Sequence, residues 1–138
     1  MAKKKILVVD DEDRLVEMVK IRLEVAGYQV ITASDGKQGL QKAKSDKPDL
    51  ILLDIMMPEI DGFEVSKQLK EAESTKKIPI IMLTALAAGH DVHREENMEK
   101  LKKAQIESYV TKPFIGGDLL DKIKAALGGQ KKWGIPSY

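Results

Sequence analysis

The chain has 138 residues with a formal net charge of +1, and 43% of its residues are hydrophobic and 33% charged. That length and balance fit one globular domain with a sizeable core, and they provide no global basic field to recruit nucleic acid. The absence of cysteine excludes disulfides, thiolate catalysis and cysteine-based zinc sites, and an aromatic content of 4% argues against base stacking.

The basic N-terminus, Lys3 to Lys5, precedes an apolar run that stops at Asp10, too soon for a signal peptide. No apolar run is long enough to span a bilayer, so no membrane association is expected and the cytoplasm is the expected compartment. "KILVVD" (5–10) is continuously apolar and bounded by charge, which predicts a strand covered on both faces. "DRLVEMVKIRLEVAG" (13–27) predicts a helix with Leu15, Val16, Val19, Leu23 and Ala26 in one stripe, stopped by Gly27. "YQVITA" (28–33) is a strand, and "DGKQGLQKAKSD" (35–46) a weaker helix with Leu40 and Ala43 facing inward. "DLILLD" (49–54) is a second fully buried strand. A 55–61 loop shaped by Pro58 and Gly62 leads into the helix "GFEVSKQLKEAE" (62–73), anchored by Phe63, Val65 and Leu69. "IPIIMLTA" (78–85) is a third buried strand. "DVHREENMEKLKKA" (91–104) reads as a charged helix with a thin stripe, Met98 and Leu101, and with Glu96–Lys100 and Glu99–Lys103 pairs. "SYVTK" (108–112) is a short strand, and "GDLLDKIKAALGG" (117–129) a last amphipathic helix.

Strict alternation of strands and helices predicts an α/β fold, a single doubly wound five-stranded parallel sheet with helices on both faces. In such sheets the site lies beyond the carboxyl ends of the strands. Asp10, Asp11, Asp54, Thr84 and Lys112 all fall at those ends. Three carboxylates at one rim repel one another, and a hard divalent cation relieves the repulsion while drawing in an anion. Lys112 adds a fixed positive charge and Thr84 a hydroxyl, a set suited to stabilising a transferred phosphoryl group. Asp54, central and next to an adaptable loop, is the candidate nucleophile for an aspartyl-phosphate. Asp13 and Asp35 read instead as helix caps or solvated strand ends. His90 and His93 read as a solvated helix start, with no third ligand nearby, and Lys100, Lys102 and Lys103 as a solvated face.

The ordered set "VVDDED", "LLDIMMPEIDGFEV", "IIMLTA" and "YVTKPF" resembles the receiver domain of response regulators in two-component signalling, over residues 5 to about 127. The resemblance implies a CheY-like, flavodoxin-like sheet of order 2-1-3-4-5 with five helices. It implies a receiver domain over 1–127; the remaining 128–138 reads, from the general behaviour of termini, as a flexible tail, with docking through Trp133 and Tyr138 or a linker stub as alternatives. It implies that Asp54 is the phosphoacceptor and that Asp11 binds Mg²⁺ (or Mn²⁺) directly. Asp10 would bind chiefly through water, and the Met56 backbone carbonyl would complete the ligands. It further implies that Thr84 hydrogen-bonds the phosphoryl group, that Lys112 pairs with a phosphoryl oxygen, and that the Lys112–Pro113 bond is cis. Tyr109 would be the aromatic switch, turning inward when Thr84 shifts. The implied partners are a histidine kinase or phosphotransfer protein upstream and an output protein or a missing output domain downstream. A phosphorylation-dependent homodimer is also among the expectations, and direct nucleic-acid binding by this chain is not. The implied role is a signalling switch, not an enzyme in the ordinary sense. Besides the C-terminus, where "QKKWGIPSY" follows Gly128-Gly129, two stretches depart from the family pattern. "KAQIESYV" replaces the usual Gly-Ala-Asp-like turn before the last strand, and the Thr84–Lys112 interval is long, extending the 86–107 segment.

Three other functions use related chemistry. A Mg²⁺-dependent phosphatase forming an aspartyl-phosphate would carry a second acid two residues after the nucleophile, where Met56 stands. A flavodoxin-like electron carrier needs a hydroxyl-rich phosphate loop, where "DDEDR" would repel the flavin phosphate. A receiver working by binding alone would not need the intact acid, threonine and lysine set.

Overall fold

A computed structural model describes residues 3–84, 99–100, 103–112 and 117–128. In chain order the elements are β1 (Lys5–Val9), α1 (Asp13–Val25), β2 (Gln29–Ala33), α2 (Gly36–Asp46), β3 (Leu50–Asp54), α3 (Gly62–Glu71), β4 (Ile80–Thr84), β5 (Ser108–Thr111) and a C-terminal helix α4 (Asp118–Gly128). The strands form one five-stranded sheet of order β2-β1-β3-β4-β5, and every neighbouring pair is parallel. The expected architecture and strand order are therefore present. Four helices are described. Of the helix expected over 91–104, only the helical positions 99, 100 and 103 and the following Ala104, whose N–H donates to the Lys100 carbonyl at 2.9 Å, fall among the described residues. Met98, Leu101, Lys102, His90, His93, Pro113 with its expected cis bond, and the tail from 129 onward lie outside them.

The continuous apolar runs are explained by the two packed layers they serve. Side chains alternate across a strand, and β1, β3 and β4 send each parity into a different core. Leu7, Val9, Ile51, Leu53, Ile80 and Met82 meet Ala43 of α2 and Val65 and Leu69 of α3. Ile6, Val8, Leu50, Leu52, Ile81 and Leu83 meet Val19 and Leu23 of α1 and Leu119 and Ile123 of α4. A period-2 pattern would have exposed one face of these strands to water, and none of them shows it. β2, at the edge, is only partly buried.

The helix ends follow from local chemistry, with two corrections. Asp35 caps α2, accepting from the Gln38 N–H at 2.8 Å, and Asp61 caps α3, accepting from the Glu64 N–H at 2.9 Å. Asp13 does not cap. It is the first helical residue of α1, where its charge faces the positive end of the helix dipole, and the capping position is Glu12, whose side chain makes no capping bond. Ala26 is exposed rather than part of the buried stripe, because it is where α1 ends. There the Gly27 N–H donates to the Glu24 carbonyl and the Tyr28 N–H to the Leu23 carbonyl, with Gly27 at φ 102°. That paired geometry is a Schellman stop, and it needs the left-handed conformation glycine adopts without penalty.

Candidate functional site

The register of β1 on β3, with Val9 opposite Leu53, carries the next residue of each chain, Asp10 and Asp54, to the same end of adjacent strands. Both are buried. β4 ends on Thr84, also buried, and the Lys112 N–H donates to the Thr84 carbonyl at 2.7 Å, which ties the start of the segment after β5 to the end of β4. Asp10, Asp54, Thr84 and Lys112 thus meet at the carboxyl edge, and Asp11 joins them from the loop into α1.

The Lys112 ammonium is the centre of this cluster. It donates to Asp54 Oδ1 at 3.1 Å and to Glu12 Oε1 at 3.2 Å. Asp10 Oδ2 lies 3.0 Å away as an ion pair, and this buried oxygen has no hydrogen-bond partner among the described residues. The other Asp10 oxygen, Oδ1, accepts from the Glu12 N–H at 3.0 Å. Burial dominates the protonation of both buried acids. It raises Asp10 above its ordinary range, against the opposing pull of the Glu12 N–H and Lys112. Asp54 is pushed up to about 7, first by burial and then by the Asp10 charge, with Lys112 opposing. Burial pulls the Lys112 ammonium down, but the Asp54 and Asp10 carboxylates outweigh it and hold the group firmly charged.

The residues present fit a hard divalent cation. One carboxylate oxygen from each of Asp10, Asp11 and Asp54 can be chosen so that all three lie within 4.8 Å of one another. The set is all oxygen, and it includes a buried atom with no hydrogen bond among the described residues, which suits Mg²⁺ or Mn²⁺. Met56 is 62% exposed, and its thioether is too soft for such an ion, which leaves its backbone carbonyl as the group it can offer.

The loop after Asp54 is held by Gly62. Its N–H donates to the Ile55 carbonyl at 2.8 Å, and a Cβ at this position would sit 2.3 Å from the Asp54 carbonyl oxygen. The first turn of α3 is therefore seated directly on the backbone of Asp54. Glu59 turns the loop with φ 71°. On β5, Tyr109 is 39% exposed, with the Lys122 ammonium 5.5 Å from its ring centre and donating to its carbonyl at 2.6 Å. The Lys122 contact and the role of Glu12 as a partner of Lys112 were not anticipated from the sequence. Glu12 was visible only as a third acid in "DDED", and its reach to a lysine 100 positions away depends on the sheet order.

The family model described as the response regulator receiver domain matches residues 6–124. The chain is 44% identical over 126 residues to the alkaline phosphatase synthesis transcriptional regulatory protein PhoP of Bacillus subtilis, covering 90% of this chain and 48% of that protein. It is 33% identical over 125 residues to the polar-differentiation response regulator DivK of Brucella anthropi, covering 91% of this chain and 97% of that one. Thus the chain spans about half the length of the transcriptional regulators it matches and nearly all of DivK. Among solved structures, the receiver domain of the sensor histidine kinase PA1611 from Pseudomonas aeruginosa, described with a magnesium ion coordinated in its active-site cleft, superposes with a TM-score of 0.81 at 27% identity. The match covers 93% of this chain and all of that one (100%).

Proposed function

The chain belongs to the response regulator receiver domain family, and we propose that it accepts a phosphoryl group on Asp54 from a histidine kinase or phosphotransfer protein and signals by changing the surface it offers a partner. The observation that carries this reading is the Lys112 ammonium held 3.1 Å from Asp54 Oδ1 at the carboxyl edge of the sheet, beside Asp10 and Asp11.

Asp10, Asp11, Asp54 and the Met56 carbonyl would hold Mg²⁺, or Mn²⁺ in its place, which when bound offsets the crowded carboxylates and the charge of the incoming phosphoryl oxygens. An ionised Asp54 presents a carboxylate oxygen on a rigid strand end, with Lys112 holding it in orientation. Lys112 then pairs with a phosphoryl oxygen, and the Thr84 hydroxyl donates to another. Phosphorylation adds about −1.5 to −2 charge. Drawing in Thr84 and Lys112 to satisfy that charge favours one of two conformations, with Tyr109 turning inward as Thr84 moves. Moving such a switch from 1:99 to 99:1 takes about 5.5 kcal/mol, within reach of a few charge-assisted hydrogen bonds at about 1.5–3 kcal/mol each.

The receiver occupies residues 1–127 in this reading. The output lies with a partner protein or with a domain outside this sequence, and a phosphorylation-dependent homodimer is one form the contact can take. The family is a signalling domain, and the slow loss of the phosphoryl group is part of the switch rather than turnover on a separate substrate. Intact mass after incubation with Mg²⁺ and acetyl phosphate tests the reading. One added phosphoryl mass, dependent on Mg²⁺ and missing in Asp54→Ala, is expected. No gain in the folded, metal-loaded wild type would leave a receiver that works by binding alone.

A further inference from the structure

We propose that Glu12 is a positioning residue that slows phosphoryl transfer to Asp54 by occupying Lys112 and by placing a fixed negative charge at the mouth of the site. The inference rests on Asp54 being the acceptor. An ammonium has three N–H groups, and here three carboxylates surround it: Asp54 Oδ1 at 3.1 Å, Glu12 Oε1 at 3.2 Å and Asp10 Oδ2 at 3.0 Å. Glu12 and Asp54 take its hydrogen bonds and Asp10 Oδ2 closes in as an ion pair, so a phosphoryl oxygen must compete with a carboxylate for the ammonium. Asp10 and Asp54 are held on strand ends inside the protein, whereas the Glu12 side chain is 64% exposed. Glu12 is therefore the partner that can give way to an arriving phosphoryl group, and water can then solvate the carboxylate it withdraws.

Transfer from acetyl phosphate forms the bond between an Asp54 carboxylate oxygen and phosphorus while the donor's P–O bond breaks and its electron pair leaves on acetate. The donor arrives as a dianion at neutral pH, so a nearby carboxylate raises the cost of approach. The free carboxylate also competes with the phosphoryl oxygens for Lys112. Like-charge effects at an exposed position are modest and screened by salt. The Glu12 side chain makes no capping bond to α1, so its replacement removes no helix cap.

The test compares wild type, Glu12→Gln and Glu12→Ala for the rate of phosphorylation at saturating Mg²⁺, read by intact mass. The donors are acetyl phosphate and phosphoramidate, which carries one negative charge fewer. We expect Glu12→Gln to speed transfer from acetyl phosphate about two- to fivefold. Transfer from phosphoramidate should speed up less, and the gap between donors should close at high salt. Glu12→Ala, which also removes the oxygen acceptor, should gain at least as much. Unchanged or slower transfer in both variants, or an equal gain with both donors that ignores salt, overturns the role of Glu12 alone. No transfer to wild type overturns it together with the reading it rests on.

Discussion

Asp54 and Lys112 are each unintelligible without the other. A carboxylate at the end of a fully buried strand is costly unless something opposes the loss of water, and here the opposing group is one lysine shared with Asp10. That compensation is incomplete, since Asp54 is still pushed up to about 7. Its carboxyl therefore ionises less readily in the folded protein than in the unfolded chain, whose ordinary value is 3.8. The stability this gives is complete below about pH 4 and is lost as the pH rises through about 7. In metal-free buffer, Asp54→Asn should become steadily more stable relative to wild type across that window. The slope should be at most about 1.4 kcal/mol per pH unit, measured by urea unfolding. A difference that stays flat with pH would show that Asp54 titrates as an exposed acid does. Lys112→Met tests the same balance from the other side. At pH 8 it leaves two buried carboxylates unpaired and should cost about 3 kcal/mol or more, whereas at pH 5 protonation of those acids should shrink the loss. An equal loss at both values would assign the lysine to packing rather than to charge.

At the scale of elements, α3 and β3 are joined more tightly than their separation by a loop suggests. Gly62 rests on the Asp54 carbonyl with no room for a methyl group against rigid backbone. Gly62→Ala should therefore destabilise the fold by about 1–3 kcal/mol and lower the midpoint of thermal unfolding. It should also slow phosphorylation of whatever fraction stays folded, because relieving the overlap means moving Asp54 or the first turn of α3. Full stability in that variant would mean the loop gives way without cost. Most of this architecture was legible in the sequence, since buried strands announce themselves as unbroken apolar runs and α1 announces its end with Gly27. The edge positions of Asp10, Asp54, Thr84 and Lys112 followed from the same runs. What stayed hidden involved contacts between distant segments. The Glu12 and Lys122 contacts depend on which strand ends come together, and nothing local in "DDED" or "DLLDKIK" records that. The sequence leaves Asp13 as a helix cap or a solvated strand end, whereas it is the first helical residue; Asp is common both at the cap and one residue later, and only the backbone angles separate the two.

At the scale of the whole molecule, the described residues form a sheet covered on both faces, with the acid and lysine cluster at one rim. A cation bound by Asp10, Asp11 and Asp54 would join the ends of two central strands, and a ligand that binds only the folded state raises stability by mass action. Adding Mg²⁺ to 100 times its dissociation constant should stabilise the protein by about 2.7 kcal/mol. Most of that gain should vanish in Asp11→Asn, whose exposed side chain leaves the core untouched. A thermal midpoint that ignores Mg²⁺ in wild type would rule out the site. The five-strand order also places β3 between β1 and β4, with all five of its residues buried, while β2 and β5 form the margins. Backbone amides in such a central strand exchange with solvent only when the entire fold opens, whereas those at the margins exchange through smaller fluctuations. Asp54 thus ends the strand expected to exchange most slowly. On the proposed role of Asp54, a charge added there would draw little accommodation from its own strand, and the adjustment would pass outward through β4 to the margin where Tyr109 is 39% exposed.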